Sequence, residues 1–199
     1  MANTQHPGFY PSRATNGGAI TYTRKRVITN NSAPIGLQDA VKIDTNGNVL
    51  GLGTSSTQSA AIQSVAMGVS YVDSTLGRIS AKNLPASTLY TSSGIDPDNA
   101  TYVFLVENPV NVIFRASVDE AIVLADLYSN MEIVLGTPSN GQSIQELDAS
   151  TKANTATLPI RVVDFVFQSD NDVDSADAHV FCMVNAGQIE PALTTTGLA

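Results

Sequence analysis

Short apolar runs recur along this chain and are separated by clusters of Gly, Pro, Asn, Asp and Ser. That pattern belongs to strands joined by turns. It predicts strands over 21–29, 40–43, 48–52, 65–72, 78–81, 101–107, 110–115, 132–135 and 158–168, with a last one opening at His179 in the run HVFCMV. TYVFLVE, at 101–107, carries the strongest of these signals. Thr45, Asn46, Gly47 and Asn48 predict a hairpin, because Asn-Gly supplies the positive φ angles of a tight turn. In 158–168 both faces are largely apolar, so the strand should be central or lie at a subunit contact, with Pro159 at its start or at an edge because it lacks a donor. Residues 54–64 are polar and low in complexity, and are expected to form a surface loop.

One stretch has a helical period. Ser117 and Glu120 have the spacing of a capping box, and VDEAIVLADL places Val118, Ala121, Ile122 and Ala125 on one face, so a helix is expected near 117–129. Many short strands and one short helix imply a mainly β fold, a β-barrel or β-sandwich, either tulip-like or jelly-roll. Its body should be a single domain over 30–190, followed by a polar tail at 191–199.

Charge changes the picture at the N-terminus. Residues 1–38 contain Arg13, Arg24, Lys25 and Arg26 and no acidic residue, whereas the remaining 161 residues hold six basic and eighteen acidic ones. Opposite-sign segments steer association. Residues 1–29 also mix Pro7, Pro11, Gly8, Gly17 and Gly18 with Phe9, Tyr10 and Tyr22, and lack sustained periodicity. They predict an extended docking arm whose contact residues are Phe9, Tyr10, Arg13, Tyr22, Arg24, Lys25 and Arg26. The alternative is a terminus whose last strand joins the sheet of the body, with Phe9 and Tyr10 packed on it.

Composition narrows the function classes. With a net charge of -8, the chain lacks the extended basic surface that specific nucleic-acid binding needs. Cys182 is the only cysteine and stands in an apolar run, which predicts a buried hydrophobe and rules out an intramolecular disulfide. No apolar run is long enough for a spanning helix, and the N-terminus has no secretory h-region, so a soluble chain made in a cytoplasm is expected.

Candidate chemistry is sparse. The stretch from Asp170 to Asp177 resembles the opening of a calcium loop, but Ser175 replaces the turn glycine and Phe181 stands where a bidentate glutamate is required. A solvated hairpin loop is the better reading, and no metal or cofactor is expected. His6 and His179 are the only histidines, and neither has the spacing of a nucleophile–base pair, so no enzymatic activity is expected.

Three segments taken together carry a resemblance: GGAITYTRKRVI, GVSYVDSTLG and ELDASTKANTATLPIRVVDFVFQSDNDV. In this order they resemble the capsid decoration, or cement, proteins of tailed bacteriophages. The resemblance implies a virion structural protein that binds the outer surface of an HK97-type head and stabilises the expanded shell. Its partners would be the major capsid protein of the same virus and further copies of itself, a trimer ahead of a dimer, with no membrane involved. The chain departs from the family pattern at NPVNVIF (108–114) and after Gln188. A fibre, receptor-binding or glycan-binding β module of a virion is the alternative, prompted by the hydroxyl-rich loops.

Overall fold

The computed structural model describes residues 8–27, 33–44, 47–53, 57–58, 62–73, 75–84, 100–168 and 171–185. In chain order its strands are β1 (Tyr10–Ala14), β2 (Tyr22–Arg26), β3 (Ala40–Ile43), β4 (Val49–Gly51), β5 (Thr57–Gln58), β6 (Ser64–Asp73) and β7 (Gly77–Ala81). They continue with β8 (Tyr102–Val106), β9 (Val112–Ser117), β10 (Asn130–Val134), β11 (Glu146–Ala153), β12 (Ile160–Phe165) and β13 (His179–Val184). Two antiparallel sheets pack together as a β-sandwich. The larger runs β1-β9-β13-β12-β10-β11, with β5 beside β10; the smaller runs β2-β8-β6-β3-β4, with β7 beside β6.

Side-chain alternation explains the layering. In β8, Val103 and Leu105 face one way, while Tyr102, Phe104 and Val106 face the other. Val103 and Leu105 join Val41, Val49 and Ala66 in a core enclosed by the smaller sheet. That sheet curls until its edges meet, through a parallel bridge between Val27 and Val49. Val106, Ala40, Ile62 and Val65 instead join the main core, against Phe114, Ile133, Val162 and Val180 of the larger sheet. β12 lies between β13 and β10, so the apolar run at 158–168 is indeed central, with Pro159 immediately before it.

Segments 35–40 and 139–145 tie the two sheets. Leu37 and Gln142 form a parallel bridge, and the Gln145 side chain accepts the Ala40 amide at 2.7 Å. Asp39 is buried here, and its carboxylate accepts the Gly36 amide at 2.5 Å. Burial pushes its pKa up to about 6, against the lowering effect of the Ser143 hydroxyl and the Gly36 amide.

Three expectations need correction. The segment 117–129 is not an α-helix; it ends β9 and then makes a single 3-10 turn at Leu124–Asp126. Its first amides are already taken, Val118 donating to the Ala178 carbonyl and Asp119 to that of Leu147, both at 3.0 Å. Ser117 caps nothing: its hydroxyl donates to Glu146 Oε1 at 3.0 Å. Sheet pairing has outcompeted a marginal local propensity.

Secondly, residues 8–27 do not stand away from the body. β1 pairs with β9 and β2 with β8, so both are edge strands of the sandwich, and Phe9 is completely buried in the main core. Thirdly, the stretch 54–64 is not only a surface loop, since β5 pairs with β10 and Ile62 is fully buried. The β3–β4 hairpin forms as expected, with Gly47 at φ +78, although Thr45 and Asn46 lie outside the described residues. The tail at 191–199 also lies outside them.

Candidate binding face

The chain from β1 to β2 and the chain from β8 to β9 cross between the sheets side by side. The Thr15 amide donates to the Asn111 carbonyl at 2.8 Å, and the Glu107 amide to the Thr21 carbonyl at 2.9 Å. Asn108 makes the corner possible by adopting a left-handed conformation, φ 49, before a 3-10 turn at Pro109–Asn111. Both basic edge strands are therefore held on one side of the sandwich.

The predicted contact residues divide into three environments. Phe9 is core and unavailable to a partner, because its ring fills the space between the sheets. Tyr10 and Arg13 lie on β1, where Tyr10 is opposite Arg115 and the Arg13 guanidinium carbon stands 5.5 Å from the Phe181 ring centroid. Tyr22, Arg24, Lys25 and Arg26 lie on β2, and all four are exposed.

β2 gains its character from its neighbour. Tyr22, Arg24 and Arg26 are opposite Val106, Phe104 and Tyr102, so these residues share one face of the smaller sheet. Arg24 and Arg78 both approach the Tyr102 ring, with guanidinium carbons 4.3 and 5.8 Å from its centroid. Arg78 is further steadied by donating to the Ser70 hydroxyl and the Ala100 carbonyl at 3.3 Å. Phe104 is 37% exposed and borders an open groove of about 530 Å³, which Met67, Gly68, Ser80 and Lys82 also line. Gly68, at φ +142, sits in the bulge of β6 between Ala66 and Val69, where side chains are rarely accommodated. The product is a basic and aromatic surface capable of holding an anionic, partly apolar partner by charge and stacking.

Sequence reasoning found β2 but missed Tyr102, Phe104 and Arg78. Alternation in TYVFLVE held the signal, since Val103 and Leu105 inward forces Tyr102 and Phe104 outward.

Other candidate groups are engaged structurally. The Asn171 side chain donates to the carbonyls of Val166 and His179, at 2.6 and 2.9 Å, and accepts the His179 amide at 2.6 Å, closing the loop before β13. His179 is buried, with Nδ1 accepting from Arg115 Nε at 2.8 Å; His6 lies outside the described residues. Burial pushes the Cys182 thiol far up, so it packs as a hydrophobe. Burial also raises the pKa of Asp119, assisted by Asp148, Glu120 and Glu146 and opposed by the Ala149 amide. Among the described residues no group of three or more His, Cys, Asp or Glu side chains is arranged to hold a metal ion, and no helix is long and apolar enough to cross a membrane. No family model, curated protein or solved structure matches this chain.

Proposed function

We propose that this chain is a virion structural protein that decorates the outside of a tailed-phage head and stabilises the expanded shell. The observation that carries this reading is the basic edge strand β2, with Tyr22, Arg24, Lys25 and Arg26 exposed beside Phe104 in an otherwise acidic protein. The resemblance of three segments to decoration proteins supports the same role. A shell offers many identical sites, so weak contacts repeated by symmetry suffice for tight attachment. Self-association, as a trimer ahead of a dimer, belongs to the proposal and increases that avidity.

Co-sedimentation with expanded heads of the encoding virus tests the reading. The full chain should pellet with the heads, and the double charge reversal Arg24→Glu/Arg26→Glu should remain in the supernatant while still unfolding in a single cooperative transition. Equal pelleting by both proteins would remove β2 from the contact; no pelleting by either would overturn the decoration role.

A further inference from the structure

We propose that β2, the end strand of its sheet among the described residues, is a docking edge to which an extended acidic segment of a partner protein adds as a further strand, bonding the backbone of Tyr22 and Arg24 while its carboxylates meet Arg24 and Arg26. The register establishes which backbone groups are on offer. Thr21 accepts from Glu107 and Val27 donates to Thr101, so residues 21, 23, 25 and 27 turn their backbone toward β8. Tyr22 and Arg24 consequently turn theirs away from the sheet. The edge closes at Val27, where β4 arrives through the bridge to Val49.

Charge decides the occupant. A second copy of β2 would set arginines and lysines against one another, and like charges directly opposite oppose pairing. An acidic strand would place its carboxylates across from Arg24 and Arg26, with main-chain bonds supplying affinity and the side chains supplying selection. The identity of the partner as a head protein rests on the proposed function; the mode of binding does not.

Two measurements on the full chain separate these claims. The first is residue-resolved amide exchange with a capped peptide of alternating Asp and Val, eight residues long by design. The amides of Tyr22 and Arg24 should slow by about tenfold or more, while the same peptide N-methylated on the face toward β2 should leave them unchanged. The second is head binding by Arg24→Ala and Arg24→Pro. Proline removes an outward amide and spares the bonds to β8, so it should weaken binding about tenfold beyond alanine. If heads bind, both substitutions act equally and the amides stay unprotected, strand addition is wrong and the decoration role stands. If the peptide protects the amides but heads never bind, strand addition stands and the decoration role falls. Should Arg24→Pro fail to fold, exchange on the unsubstituted chain decides.

Discussion

The Arg24 guanidinium carbon lies 4.3 Å from the centroid of the Tyr102 ring, although the register places Arg24 opposite Phe104 and Arg26 opposite Tyr102. The stack is diagonal, and it pins a long side chain that an edge strand would otherwise leave free. Tyr102 is only 9% exposed, so part of the interaction is shielded from water. Arg24→Ala should cost about 0.5–1 kcal/mol. A double-mutant cycle with Tyr102→Leu, read by urea unfolding, should return a coupling of that size.

Asp39 makes stability depend on pH. Its folded pKa, about 6, exceeds the ordinary 3.8, so the native state binds the proton more tightly than the unfolded chain. Stability is therefore greatest below pH 3.8 as far as this group is concerned, falls as pH rises to 6, and then levels off. The loss amounts to about 3 kcal/mol at neutral pH. Asp39→Asn should flatten that part of a urea-derived stability profile; an unchanged slope between the two pH values would contradict the assignment.

The N-terminal segment should be indispensable for folding. Phe9→Ala empties a fully buried site and should cost about 3–5 kcal/mol. Gly8→Ala should be similarly severe, because Gly8 sits at φ +66 and an added Cβ would lie 2.4 Å from Ser143 Cβ and 2.6 Å from the Gln38 carbonyl. Deleting residues 1–29 removes two strands, so calorimetry should find no cooperative transition.

Residues 122 and 125 distinguish a packed loop from a helix. Ile122 is fully buried in the main core, and Ile122→Ala should cost about 2–5 kcal/mol. Ala125 is exposed in the 3-10 turn, so Ala125→Gly should cost less than the roughly 1 kcal/mol expected in an α-helix. Chemical denaturation of the two variants checks both values.

Asn171 reinforces the backbone at the start of β13, where the His179 carbonyl also accepts the Val166 amide at 3.2 Å and the Val166 carbonyl accepts the Gln168 amide at 3.1 Å. Asn171→Ala leaves the Val166 and His179 carbonyls and the His179 amide without it, and should destabilise by about 1–3 kcal/mol. Amide exchange at His179 should quicken at the same time.

Most strands could be read from the sequence because short apolar runs rich in Val, Ile and Phe are bounded by turn residues, as in β3, β8 and β13. β1 could not, since YPSRA has a proline and little apolar content; only its pairing with β9 makes it a strand. The apparent helix misled because Ser117, Val118 and Ile122 satisfy a helical period locally, while the Ser117 hydroxyl is taken by Glu146 of β11, the Val118 amide by the Ala178 carbonyl, and the Val118 and Ile122 side chains by the core. For the binding face, the positive charges of β2 were legible in the linear sequence. The placement of Tyr102, Phe104 and Arg78 beside them was not, because these residues come from distant strands that the fold brings together.

The paired crossing at the corner also governs the order in which the chain is completed. Thr15 finds its partner Asn111 only 96 residues later, so during synthesis the first two strands emerge long before β8 and β9 exist to receive them. Such distant pairing is slow and leaves strand edges exposed meanwhile. Arg13, Arg24, Lys25 and Arg26 give that waiting segment a single sign of charge, which opposes its pairing with a like segment.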